Sequence, residues 1–217
     1  EGYYKKFNQL IGINRNKFFD DIPEFSNEED YLKKDFMIER GNAKGIDFLL
    51  KYNTKKLSLW SVYSFGIVNR EDEIQTYSPH YDRTHNVNFV LSYLIGKQNL
   101  WNLNLRWNYG SGFPFTQTKA YYESLNFSET NSENFNTTNG NLGIIYSDLN
   151  GGRLPDYHRL DFSLTKKINL KNSTFMEISL GLTNLYNRNN IFYYDRVDAV
   201  RINQLPIMPN IGFSWSF

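Results

Sequence analysis

The 217-residue chain has no cysteine, which excludes a disulfide framework, a thiolate metal site and a thiol nucleophile. This absence leaves the compartment open. Neither sign of charge dominates: 24 Lys+Arg stand against 23 Asp+Glu, a net charge of +1, with no run of five basic residues. Broad electrostatic binding of nucleic acid is therefore not expected. Only three histidines are available for acid–base or metal chemistry. No stretch reaches the roughly 18 apolar residues of a membrane helix. The longest charge-free apolar stretch, near Leu57–Val68, is too short to span as one. The mean hydropathy of -0.58 agrees, but a β-barrel escapes this test because only alternate residues face lipid. The chain opens on Glu1 with neither a starting methionine nor a signal peptide, so its first residue is read as a processed or a fragment end.

Aromatic residues are abundant at 17%, with 16 Tyr and 17 Phe, and asparagine is plentiful. Without cysteine, and with short alternating segments, this composition suits a β protein. The alternation is strict in four places. Trp101, Leu103, Leu105, Trp107 and Tyr109 alternate with Asn102, Asn104, Arg106 and Asn108. Leu160, Phe162 and Leu164 alternate with Arg159, Asp161, Ser163 and Thr165. Met176, Ile178, Leu180 and Leu182 form a third series, and Ile211, Phe213, Trp215 and Phe217 a fourth. Successive side chains of a strand point to opposite faces, so each segment carries one apolar and one polar face. Ile46–Tyr52, Leu59–Ile67 and Val87–Tyr93 follow less cleanly, and Tyr3–Leu10 is the weakest. The total is about eight strands, each near the roughly 9–11 residues of a tilted membrane strand.

The connections sort themselves. Asn53–Lys56, Gly96–Asn99 and Asn169–Asn172 are short. Ile11 to about Gly41, Asn69 to Arg83, Ser111 to Tyr157, and Tyr186 to Pro206 are long, polar and rich in Asn, Ser and Thr. Short and long links alternate throughout, as the periplasmic turns and external loops of a membrane barrel do. The parity puts the C-terminus on the short-turn, periplasmic side. Ser124–Asn141 is nearly a low-complexity tract. The Asn-X-Ser/Thr triplets beginning at Asn126, Asn136 and Asn172 are read as a by-product of composition.

Ile211, Phe213, Trp215 and the final Phe217 resemble the C-terminal β-signal read by the barrel-assembly machinery. An apolar terminal strand of this kind can pair with an open sheet edge. The ordinary reading is an amphipathic edge strand. Further segments resemble, in order, the C-terminal barrel region of TonB-dependent receptors. They are G-N-A-K-G-I-D-F-L-L-K at Gly41–Lys51, Y-D-R-T-H at Tyr81–His85, W-N-Y-G-S-G-F-P-F-T at Trp107–Thr116, R-L-P-D-Y-H-R-L-D at Arg153–Asp161, and G-L-T-N-L-Y-N-R-N-N at Gly181–Asn190. The terminal L-P-I-M-P-N-I-G-F-S-W-S-F completes the series. The likeness covers nearly the whole of residues 1–217, and each motif alone is weak.

The resemblance implies an all-β, antiparallel transmembrane β-barrel in the bacterial outer membrane. This chain would supply about eight of its 22 strands, with no plug domain. It implies TonB-dependent uptake of a nutrient ligand, without chemistry on that ligand. The expected partners are the lipid bilayer, the barrel-assembly machinery, TonB through a plug that this chain lacks, and a surface lipoprotein or a second barrel chain. Alternatives from other classes are a complete eight-stranded barrel with a structural or adhesion role, an outer-membrane barrel enzyme, and a β-sandwich lectin.

Arg153, Asp156, Tyr157, His158, Arg159 and Asp161 form the densest ionisable cluster. They are read either as a lumen-rim patch touching plug or ligand, or as a loop-to-strand junction whose charges pair among themselves. The second reading is favoured. The loop aromatics Phe113, Phe115, Tyr121, Tyr122 and Phe127, with Phe192, Tyr193 and Tyr194, are candidates for stacking on a sugar or another flat ligand, or for loop packing and an interfacial girdle. Asp82/His85 and Asp156/His158 are the candidate pairs for a water-activating dyad in the barrel-enzyme alternative. No third partner stands at a defined spacing, so no catalytic site is expected. His80 and His85 lack further ligands, so no metal or cofactor is expected either.

Overall fold

The computed structural model describes residues 1–124, 140–170 and 174–216. Its main body is one antiparallel sheet of nine strands, eight of them long. The long strands are β1 (Gly2–Ile13), β2 (Phe36–Asn53), β3 (Leu57–Glu71), β4 (His85–Ile95), β5 (Trp101–Gly110), β6 (Tyr157–Asn169), β7 (Phe175–Thr183) and β8 (Met208–Ser216). Each pairs only with its neighbours in the order of the chain, and the two-residue strand Thr76–Tyr77 adds to the end of β3. β1 and β8 form the two edges and are not paired with one another. A closed barrel is therefore not present among the described residues.

All eight expected strands form, but several ends move. β1 runs on to Ile13 and β2 starts at Phe36, five positions ahead of the glycine expected to open it. Their pairing is sustained through a bulge between Phe7 and Leu10, which accommodates an extra residue without losing the face alternation beyond it. The short links are tight turns. Thr54 holds the first, its hydroxyl accepting from the Leu57 amide at 2.9 Å while its own amide donates to the Leu57 carbonyl at 2.7 Å. Gly96 (φ 93) and Asn99 (φ 53) turn the second, positions where the left-handed backbone favours those residue types.

Directly paired residues share a face, so the register can be read across the sheet. One rung runs Tyr52, Leu59, Leu91, Leu105, Phe162, Leu182 and Pro209. The adjacent rung, on the opposite face, runs Asn53, Ser58, Ser92, Asn104, Ser163, Gly181 and Asn210. The first rung is apolar across seven strands, and the second is polar or glycine across the same seven. On the polar face, Asn108 donates to Asn88 and Asn104 to Ser163 on the same rungs, and Ser92 donates to Asn102 at 2.9 Å. Arg106 stands directly opposite Asp161.

Burial is inverted relative to a water-soluble domain. Among the described residues the buried apolar side chains are few, Tyr77 with Pro79 and Pro114, while Glu39, Asp82 and Asn184 are the largest fully buried ones. Leu180 is 50% exposed, Phe213 64% and Ile211 79%. A soluble protein buries such side chains; here the buried carboxylates are paired instead, Glu39 with Arg70 at 3.2 Å and Asp82 with Arg153. Rings gather at both ends of the apolar face. Tyr52, Tyr93, Trp101 and Trp215 lie toward the short turns, with the Lys166 ammonium 4.9 Å from the Trp101 ring. Trp107 and Tyr109 stack toward the long connections with ring centres 6.0 Å apart. Trp101 to Tyr109 is eight steps of about 3.3 Å, or about 26 Å along the strand.

Two of the long connections carry hairpins that the sequence reading did not foresee. Thr118–Ser124 pairs with Asn141–Tyr146, and Ile191–Asp195 pairs with Val200–Asn203.

Candidate functional site

The long connections meet in a hydrogen-bonded collar at one end of the sheet. Asp82 is buried and pairs with Arg153, and its other oxygen accepts from the Val68 amide at 3.1 Å. Arg153 also donates to the Gly112 carbonyl at 3.1 Å. Asp156 accepts from the Tyr109 hydroxyl at 2.8 Å and from the Gly112 amide at 3.0 Å. These two donors, the Tyr109 hydroxyl first, hold the Asp156 carboxyl below the usual carboxylate range. Gly112 must be glycine here, because a Cβ would lie 1.5 Å from the Leu154 carbonyl oxygen. A Cβ at Gly110 would meet the Arg83 guanidinium at 2.2 Å. That guanidinium sits 4.1 Å from the Phe113 ring and 5.8 Å from the Tyr157 ring, and burial lowers its pKa from the ordinary arginine value.

The Gly181–Asn190 segment turns on its asparagines. Asn184 has φ 56 and is fully buried. Its side chain donates to the carbonyls of Arg188 (2.9 Å) and Leu205 (3.1 Å) and accepts from the Arg188 amide (3.0 Å). Its own amide donates to Asp161 at 3.0 Å. Asn190 brackets the start of β6, donating to the His158 carbonyl and accepting from the His158 amide.

The six residues of the ionisable cluster are thus spread over two faces and the rim. Arg153 and Asp156 lie in the collar, and Tyr157 lies beneath Arg83. Arg159 and Asp161 share the polar face and bind each other at 2.9 Å. His158 lies on the apolar face opposite Tyr109 and meets the Tyr186 hydroxyl at 2.6 Å. His85 meets the Tyr63 hydroxyl at 2.9 Å. Neither histidine is hydrogen-bonded to Asp82 or Asp156. No group of three or more His, Asp or Glu side chains suited to a metal occurs among the described residues.

Ile211, Phe213 and Trp215 line the exposed apolar face of β8, an edge strand. Phe217 lies outside the described residues, as do Phe127, Asn126, Asn136, Asn172 and positions 125–139 of the polar tract.

Of the loop aromatics, Phe115, Tyr121, Phe192, Tyr193 and Tyr194 converge on one cavity of about 630 Å³ between the two hairpins. Phe113 is engaged with Arg83 instead, and Tyr122 packs over Gly143 of its own hairpin. A neighbouring cavity of about 640 Å³ is lined by Arg15, Asn16 and Asp148, and shares Thr116, Lys119 and Arg196 with the first. The sequence reading missed Lys119 and Arg196. The available signal was a basic residue one position removed from each aromatic hairpin run, Lys119 ahead of Tyr121 and Arg196 after Tyr194. Comparison with protein-family models, with curated proteins and with solved structures finds no match to this chain.

Proposed function

We propose that this chain forms part of the wall of an outer-membrane β-barrel of the TonB-dependent receptor type, which takes up a nutrient ligand through its long external loops. The observation that carries the reading is the inverted burial. An apolar face continuous across seven strands and a polar face hydrogen-bonded within itself suit a sheet with lipid on one side and a wet lumen on the other. The ring-rich ends of the apolar face match the aromatic girdles of such barrels. The alternation of tight turns with long connections supports the same reading, in which the C-terminus lies on the periplasmic side. In lipid both sheet edges need partners, since an unpaired backbone group there costs several kcal/mol. Further strands of a 22-stranded barrel would supply them. A closed eight-stranded structural barrel would need β1 to pair with β8, which here are separate edges.

In this reading the plug lies outside the chain, TonB couples energy through it, and the ligand is moved unchanged. A surface lipoprotein or a second barrel chain fits the same architecture. The test is fractionation of native cells, combined with uptake of the cognate nutrient before and after collapse of the proton gradient. Recovery in the outer membrane and gradient-dependent uptake are expected. Recovery of the native protein in the soluble fraction would overturn the reading.

A further inference from the structure

We propose that the two adjoining loop cavities form one binding site for an anionic ligand with a flat ring face, an acidic sugar or an aromatic acid, with Lys119 and Arg196 recognising its charge. The proposal rests on the uptake reading above and specifies the ligand. Lys119 and Arg196 line both cavities, so they stand where the two adjoin. Neither side chain has an ion pair or a hydrogen bond among the described residues. Arg196 is held from both ends: its carbonyl accepts the Tyr121 hydroxyl, and its guanidinium lies 5.1 Å from the Tyr146 ring. Ring contact leaves the planar fork of N–H donors open, and that fork matches a carboxylate or sulfate.

The two cavities divide the labour. The one lined by Tyr193 and Tyr194 offers rings that are about half exposed, suited to the flat face of a sugar or an aryl group. The other adds the Arg15 cation against the single carboxylate of Asp148. Three cations facing one anion give the site a positive balance, although the chain as a whole is near neutral. At about 630 and 640 Å³ each cavity alone is of ordinary ligand size. Joined, they suit a ligand of more than one ring.

The test is calorimetric titration of the full-length protein in detergent with two matched pairs: tetragalacturonate against maltotetraose, and salicylate against salicyl alcohol. At low salt the acid of one pair should bind about tenfold more tightly than its neutral partner, and the pair that does so identifies the source. The preference should shrink at about 0.5 M salt, where screening shortens the reach of exposed charges. The double variant Lys119→Gln/Arg196→Gln should lose the preference while retaining the wild-type heat-shifted mobility. Tyr193→Ala should weaken acid and neutral partner alike. Absence of acid preference in both pairs, or its survival in the double variant, overturns the anion site. Either result leaves gradient-dependent uptake standing, whereas loss of outer-membrane recovery would strike the transport reading on which the site's role in uptake rests.

Discussion

Asp156 and Asn184 show how single polar side chains hold the loop end of this sheet. The lowered pKa of Asp156 means that its ionised form is favoured in the folded state. Its contribution is fully present above the ordinary carboxylate value of about 3.9 and is lost as pH falls through the lower folded value. The Gly112 amide, which donates to that carboxylate, should therefore keep constant exchange protection from pH 7 to pH 5, after correction for the intrinsic rate, and lose it only below about pH 4. Loss already at pH 6 would point to a histidine instead. Asn184 makes three side-chain hydrogen bonds at a left-handed backbone position. Asn184→Ala strands those partners and strains the turn, and should cost about 1–3 kcal/mol in urea unfolding from micelles. Neither role was legible in the sequence, where Asp156 stood among six ionisable residues and Asn184 among many asparagines. Their partners Tyr109, Gly112 and Leu205 are remote in the chain.

Each strand announces itself, because a period of two is a local property. Trp101–Tyr109 and Met176–Leu182 could be assigned a face before any register was known. Strand ends were less legible. β2 continues past the glycine at position 41 because β1 and β3 offer pairing partners there, and a local pattern does not report its neighbours. The two loop hairpins escaped notice for the same reason: Ala120–Tyr122 and Ile191–Tyr194 are short, and their pairing partners lie across a gap in sequence. If the apolar face meets lipid, Leu105→Arg and Leu180→Arg should each cost about 2–4 kcal/mol near the midplane. Folding titrations into lipid vesicles measure this. Wild-type values for both variants would remove the assignment of that face to lipid.

Over the whole molecule, the alternation of short and long links predicts one direction of insertion, and the terminal aromatic strand predicts how assembly begins. Deletion of Phe217 should lower the heat-modifiable, membrane-inserted fraction several-fold, while the Ile211–Trp215 series is left intact. Normal insertion of the deletion would discard the β-signal reading. The sequence by itself determined the all-β class, the eight long strands, the two faces of the sheet and the alternating lengths of its connections. All of these follow from residue period and from the spacing of turn-forming residues, which are written along the chain. Only the tertiary structure decided that Asp82 is buried against Arg153, that His158 leaves the polar cluster for the apolar face, and that Phe115, Tyr121 and Tyr193 share a cavity with Lys119 and Arg196. These depend on register across strands and on the folding back of long loops. There the free energy comes from contacts between residues far apart in sequence, and no local pattern encodes them.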